Sequence, residues 1–479
     1  MSNKKSLLKN SGIYGIVQIL QKGAGLLLMP IYTQYLTKGE NGIITTVQSW
    51  VAFFVIFYTL CLNSAVVRFY VDYKEDKKKL KDFWGSCFVF VFLNGLILTI
   101  ILILTRHYIL SPLIGEEIDF FPFIFLGLIS ITLNPIYTMM QGILQAKEDG
   151  KIYGINNLAY FFFNIGLNLL FIIEFKMGAL GILLALAITD VVFFIYAVIK
   201  LKSEITFKVK KIYLKEAMKY SLPLLPHSLS GVTVSVIGNI MLSKFNGVEA
   251  TGVYGNASKF GIVINSLTMA VNQAYVPWFF SKMKHKEENE AEIVNMAEYI
   301  TIIYGLLAMG LSLFSQEIMY LFAEKSYWIG WKVIPFISFA YVFNGIYFFF
   351  VNPLFYNKKG VKFIAIGTFT GAFLSVVLNI ALIPIFGDIG AGLSLMISSI
   401  ISCILIYFIC MKVEKIKFNI IKMFGITFLL FAISLFAFVL QEMSFWTSMF
   451  IKMGIGIITM MVLGLIYRKQ ISMLIKKRR

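Results

Sequence analysis

Charge is scarce in this 479-residue chain: Asp, Glu, Lys and Arg make up 14% of it, against 58% hydrophobic residues. Histidine is scarcer, with three residues (His107, His227, His285) and no His-Glu-x-x-His, which argues against a zinc hydrolase. The four cysteines (Cys61, Cys87, Cys403, Cys410) lie in apolar stretches without metal-ligand spacing or the pattern of a secreted disulfide scaffold, and read as small core residues. No segment matches Gly-x-x-x-x-Gly-Lys-Ser/Thr and no polar stretch could house an ATPase, so any transport would draw on a gradient or on the substrate itself. Extended outer loops are also missing. A membrane glycosyltransferase or polysaccharide polymerase needs one, and here the longest run over roughly 106–118 and 315–330. Their one acidic cluster, Glu116-Glu117-Ile118-Asp119, reads as a solvated loop. The chain is not expected to be an enzyme.

What is present is apolar sequence in span-sized blocks. Mean hydropathy is +0.80, too high for water to be the solvent. A spanning helix needs roughly 20 apolar residues. Hydropathy predicts about fourteen such stretches, near 8–35, 42–71, 83–105, 119–145, 152–173, 178–199, 217–243, 250–280, 295–314, 331–356, 361–385, 389–411, 420–440 and 446–467. The fold class is therefore an all-α polytopic membrane protein. The basic start, Met1–Asn10, runs into a stretch too long for a signal peptide and without a small-residue cleavage site, so that stretch is expected to stay as the first helix.

The net charge of +18 does not imply nucleic acid, because of where it sits. With fourteen spans and the N-terminus inside, 33 lysines and arginines fall in the tails and even-numbered loops, and seven in the outer segments (Lys38, Arg106, Lys176, Lys244, Lys325, Lys332, Lys452). That asymmetry follows the positive-inside rule and predicts a multi-pass protein of the inner membrane with both termini cytoplasmic. Five tryptophans (Trp84, Trp278, Trp328, Trp331, Trp446) fall near predicted helix ends, where an amphipathic ring suits the interface.

The chain also repeats. A shift of 210 residues lays Gly42 on Gly252, Leu144 on Leu354 and Gly150 on Gly360; at 211, Leu167-Asn168 meets Leu378-Asn379 and Gly181 meets Gly392. Six spans per repeat return the chain to the same side, which predicts parallel repeats forming two lobes around a central cavity. The expected division is an N-lobe over 1–203, a linker and C-lobe over 204–413, and two extra helices with a basic tail over 414–479.

A charge inside the bilayer is costly unless it meets a cavity or a partner. Lys22 lies midway along the first stretch, with Gln18 and Gly25 on its helical face. Lys259 shares a face with Asn256 and Ser266 in the eighth, and Arg68 ends the stripe Cys61, Ser64, Arg68 in the second, where it could equally be an interfacial anchor. Asp190, deep in the sixth, is either a proton or cation site or a salt-bridge partner for Lys22. None of the four has a charged counterpart in the other repeat, which marks them as specialisations rather than scaffold. Three cations against one acid suggest a cavity for an anion, with phosphate the usual choice. Pro223 and Pro226 open the seventh stretch as either a hinge or helix-start prolines, and His227 beside them reads as a packed polar residue.

Fourteen spans, the six-plus-six repeat, the elements Gly42-Ile43 and Gly252-Val253-Tyr254, and the pattern from Leu378-Asn379 to Gly390-Ala391-Gly392 together resemble the polysaccharide-export flippases. These include the O-antigen (Wzx) type and the related lipid II flippases of the multidrug/oligosaccharidyl-lipid/polysaccharide superfamily, and the resemblance covers essentially the whole chain. It implies a substrate of oligosaccharide repeat units on undecaprenyl diphosphate, flipped to the outer leaflet by alternating access, with membrane lipids and other polysaccharide-assembly proteins as neighbours. It implies a cationic cavity in which Lys22, Arg68 and Lys259, with Gln18 and Asn256, meet the substrate, and a lipid tail held by the last two helices. No cofactor is expected beyond a coupling proton or sodium ion at Asp190. Lipid II flippases carry more arginines in these helices, which favours a capsule, O-antigen or teichuronic-type unit. A drug exporter of the same superfamily is the alternative, and a membrane-bound polymerase or glycosyltransferase the reading from another class.

Overall fold

A computed structural model describes residues 23–108, 110, 114, 117–357 and 360–468, without the side chains of 361 and 362. Among these, every regular element is helical. In chain order they include α1 (Met29–Tyr35), α2 (Lys38–Thr59), α3 (Leu62–Arg68), α4 (Lys77–Leu104), α5 (Phe125–Ala146), α6 (Gly150–Leu169), α7 (Gly178–Leu201), α8 (Lys211–Ser221), α9 (Leu225–Met283), α10 (Lys286–Leu313), α11 (Ser315–Phe322), α12 (Ile334–Tyr356), α13 (Val361–Val413), α14 (Ile420–Ser434) and α15 (Phe445–Ile466).

Eleven stretches are long and apolar enough to cross a bilayer. Two are double. The stretch Lys211–Met283 breaks at Gly247 (φ 85°) and Phe363–Val413 breaks at Gly387 (φ 57°). At about 1.5 Å per residue each far exceeds the roughly 30 Å hydrocarbon core, so each supplies two spans. The described residues thus hold thirteen spans, matching the last thirteen hydropathy stretches. Only the end of the first, 8–35, is described.

The helices start where the sequence offers caps. Thr37 and Glu40 form a reciprocal capping box at α2, and Asp149, Asn419 and Ser444 cap α6, α14 and α15. Asp76 caps α4, and the Lys79 N–H holds its carboxyl below the usual carboxylate range. The two prolines fall at a helix start: Pro223 sits in a single 3₁₀ turn, Leu222–Leu224, and Pro226 in the first turn of α9, with no break in the helix there.

Two compact units emerge, residues 1–255 with 371–391 and residues 256–370 with 392–479. In the first unit α5 is central, burying Ile136, Met139 and Met140 against α3, α4 and α7. The start of the second repeat joins this unit through glycine. A Cβ on Gly42 would lie 1.7 Å from the Val248 carbonyl oxygen, and one on Gly252 would lie 2.0 Å from the Lys38 carbonyl oxygen. Val248 is the equivalent of Lys38, as Gly252 is of Gly42, so the two repeats touch through the same positions, as an isologous contact requires. An ion pair between Lys38 and Glu249 (3.0 Å) and a hydrogen bond from the Val248 N–H to Glu117 (2.8 Å) reinforce it. Glu117 is therefore engaged, not merely solvated.

The second span departs from expectation. Instead of one helix over 42–71, α2 stops at Thr59, Leu60 and Cys61 take left-handed conformations (φ 47° and 58°), and α3 resumes. Each such residue costs about 1–2 kcal/mol. The carbonyls freed inside a membrane need donors, and the Asn94 amide of α4 supplies them, at 3.0 Å to Phe57 O and 2.8 Å to Tyr58 O.

The second unit is built on aromatic packing. Phe339, Phe343, Phe349 and Phe350 of α12 are buried; Phe343 meets Phe424 (5.2 Å) and Phe428 (5.4 Å), and Phe339 meets Phe431 (5.1 Å). Helix α15 leaves Trp446, Phe450, Met461 and Leu465 exposed, as suits a lipid-facing element. Yet Lys452, expected in an outer segment, is fully buried near its start and pairs with Glu317 of α11 at 2.7 Å. Trp84 and Trp331 are buried too (1% and 4% exposed), so core packing rather than an interface holds these two rings.

Candidate functional site

Within the first unit, polar residues gather at the middle of the bundle. Asp190 lies halfway along α7, a mostly apolar helix, and is 1% exposed. A carboxyl there is retained only with partners, and two neutral donors provide them. Asn134 Nδ2 of α5 and the Tyr160 hydroxyl of α6 each lie 2.7 Å from Asp190 Oδ1. Asn134 also donates to Tyr160 (3.3 Å). The Tyr160 ring is held by stacking on Tyr137 at 5.2 Å, with Phe193 edge-on to both. The hydroxyl thus has little freedom to leave the carboxyl.

Hydrogen bonds continue from this point in both directions. Asn164 donates to Thr189 (3.2 Å), and Asn168 donates to Asn164 (3.0 Å) and to Tyr32 of α1 (3.4 Å). Toward the lysine-rich side, Tyr196 donates to Asn156 (3.0 Å), Asn156 to Gln141 (3.4 Å) and Gln141 to Tyr137 (3.0 Å). On the flank, Tyr58, Thr99 and Thr132 form a hydroxyl chain at 2.9 and 2.7 Å. Such a string can carry a proton by relay, or supply oxygen ligands to a small cation beside one carboxylate. Among the described residues, no three of His, Cys, Asp and Glu group as metal ligands.

Arg68, Asn256 and Lys259 have partners of their own. Arg68 ends α3 and pairs with Asp72 at 2.9 Å, both about half exposed. In the second unit, Lys259 Nζ donates to Asn256 Oδ1 at 2.7 Å, so these two act together. Lys22 and Gln18 lie outside the described residues, and the pairing of Lys22 with Asp190 with them. Asn134, Tyr160 and Asn94 were not expected from the sequence. Asparagine and tyrosine are common in these helices, and only the fold brings them to a carboxyl or to broken backbone.

The sequence model of a family described as polysaccharide biosynthesis protein matches residues 7–283, more than half of the chain. An uncharacterized membrane protein of Methanocaldococcus jannaschii is 23% identical over 432 residues, covering 86% of this chain and 99% of its own length. One from Haemophilus influenzae is 22% identical over 364 residues, covering 74% and 85%. Among solved structures, a lipid II flippase MurJ in an inward closed conformation shares the fold with a TM-score of 0.73 at 18% identity, over 95% of this chain and 99% of that one. An inward-facing multidrug resistance transporter of the MATE family, within the same MOP superfamily, gives 0.59 at 15% identity over 84% and 95%.

Proposed function

This chain belongs to the polysaccharide biosynthesis protein family, a transporter type, and from that premise we propose that it flips undecaprenyl-diphosphate-linked oligosaccharide repeat units from the cytoplasmic to the outer leaflet of the inner membrane, by alternating access, for cell-surface polysaccharide export. The observation that carries the reading is the near end-to-end fold similarity to a lipid II flippase. Both termini are cytoplasmic on this reading, following the lysine asymmetry. The diphosphate is met by Lys22, Lys259 and Arg68, with Gln18 and Asn256 as polar company. The Lys259–Asn256 contact supports this by holding the ammonium at a fixed point.

Asp190 couples the cycle to a proton or sodium ion. Its support is a deeply buried carboxyl held by the neutral donors Asn134 and Tyr160. Outward movement of an anionic headgroup is also favoured by an inside-negative potential, by about 2.3 kcal/mol per charge per 100 mV.

The test is a mass spectrum of lipids that co-purify with the protein, together with leaflet assignment in a deletion strain. A polyprenyl diphosphate saccharide bound to the protein, and the same lipid trapped in the inner leaflet without it, is the expected result. Absence of both, with raised tolerance to cationic drugs on expression, would replace this reading by drug export.

A further inference from the structure

The segment joining the two repeats, residues 202–222, is more than a tether. Thr206 N–H donates to the Lys81 carbonyl (3.1 Å), Lys210 N–H donates to Ser86 Oγ (2.9 Å), and Lys210 Nζ pairs with Asp82. These bonds press the strand-like piece 206–210 along the start of α4. Helix α8 then docks through Ala217 and Ser221, both buried, with Tyr213 edge-on to Tyr73.

What this docking leaves outward is uneven. Both acids are engaged by neighbours, Glu204 by Lys147 and Glu216 by the Tyr73 hydroxyl. The outward charges are all lysines: Lys202, Lys208, Lys211, Lys215 and Lys219 are exposed, the last three at i, i+4 and i+8 on one face of α8. Among them stand bare apolar side chains: Phe207 is 51% exposed and Ile212 is 73% exposed, with Val209 and Leu222 also exposed. A water-facing linker gains nothing by presenting phenylalanine and isoleucine. An interfacial one does, because lysine heads meet phosphate while apolar side chains reach the acyl boundary.

Position supports the same occupant. The 22 residues from Leu225 to Asn246 already suffice to cross the hydrocarbon core, so α8, directly before them, ends at its edge. In the 210 register, Lys215 and Lys219 also fall on Lys5 and Lys9, and Ser221 on Ser11. Unlike Lys22, Arg68 and Lys259, these lysines have counterparts in the other repeat, which is the pattern of a scaffold function shared by both halves.

We infer that residues 202–222 form a binding surface for anionic phospholipid headgroups, which fixes the joint between the repeats at one leaflet. The surface is independent of the transported substrate.

The test uses the full-length protein in vesicles or nanodiscs of phosphatidylglycerol or phosphatidylcholine. Native mass spectrometry should find phosphatidylglycerol retained by the wild type. Lys211→Gln/Lys215→Gln/Lys219→Gln should weaken that retention about tenfold or more, and the triple Lys→Arg variant should keep it. In Ile212→Trp, the fluorescence added over the wild type should be quenched by brominated acyl chains. Equal retention by the Gln variant, or no quenching, overturns the proposal. Displacement of the lipid by millimolar pyrophosphate would also overturn it, by marking a phosphate site in place of a lipid surface. The Lys→Arg and Trp variants report correct folding in each arm.

Discussion

The two units spend their interiors differently. The first places amides, hydroxyls and one carboxyl along the middle of its helices, from Tyr32 through Asn168, Asn164 and Asp190 to Asn156 and Gln141. The second fills the corresponding depth of α12 and α14 with phenylalanine. Aromatic packing tolerates little relative movement, because close-packed interiors shift between discrete arrangements and do not deform continuously. Hydrogen-bonded strings can exchange partners and protons. One unit therefore offers polar groups that can exchange partners, and the other a close-packed aromatic interior. The break at Leu60–Cys61, with its carbonyls handed to Asn94, belongs to the polar unit as well.

The largest expected effect comes from crowding the polar unit where its two repeats touch. Gly42→Ala would place a methyl 1.7 Å from Val248 O, which the backbone can relieve only by moving apart. A loss of about 3 kcal/mol or more is expected, read as a large drop in melting temperature in detergent. Gly310→Ala in the aromatic unit, where nothing lies within 4 Å, should melt like the wild type. Equal effects would dissolve the contrast.

Next is the one ion pair, among the described residues, that the aromatic unit buries fully on its lysine side. Glu317→Gln leaves the Lys452 ammonium without its counter-charge and should cost about 3–5 kcal/mol. The double change Glu317→Leu with Lys452→Met should recover most of that in the same melting experiment. A double variant as weak as the single would show that shape, not charge, holds α15 there.

Asn94→Leu in the polar unit removes two bonds to the broken helix and should cost about 1–3 kcal/mol. Asp190→Asn keeps an oxygen to accept from Asn134 and Tyr160, so it should melt within about 1 kcal/mol of the wild type while losing any dependence of transport on a proton or sodium gradient. A retained gradient response would remove Asp190 from coupling.

How far the sequence reaches follows the same divide. Spans and the repeat are legible because they rest on local hydropathy and on glycine. The 210-residue register pairs Gly42 with Gly252, and the structure puts both in close backbone contacts, Gly42 against Val248 and Gly252 against Lys38. The left-handed residue between the fifth and sixth spans, Lys176 (φ 50°), likewise recurs at Gly387 in the 211 register. The divided second span is not legible, since Leu60 and Cys61 carry no turn signal and their conformation depends on Asn94, 33 or more residues away. Lys452 and Trp331 misled for a related reason. A charge or ring near a helix end suits the interface until α11 or the rings of α14 and its neighbours cover it. The Asp190 cluster was legible only as a lone acid, because its partners come from two other helices.

The smallest expected effect separates anchor from ligand at Arg68. Its pair with Asp72 is half exposed and one helical turn apart, a geometry worth at most about 0.5 kcal/mol. Arg68→Gln should therefore leave the melting temperature unchanged, unlike the changes at Gly42, Glu317 and Asn94. Export decides its role. If Arg68 receives the diphosphate, it must first leave Asp72, so Asp72→Asn should free the guanidinium and maintain or raise export, while Arg68→Gln lowers it several-fold. Arg68→Lys should fall between, since the ammonium keeps the charge but loses the bidentate fork. If instead Arg68→Gln and Asp72→Asn reduce export equally, the two act as a structural pair at the end of α3. Normal export by both would leave Arg68 an interfacial anchor, and the phosphate would then be met from Lys22 and Lys259.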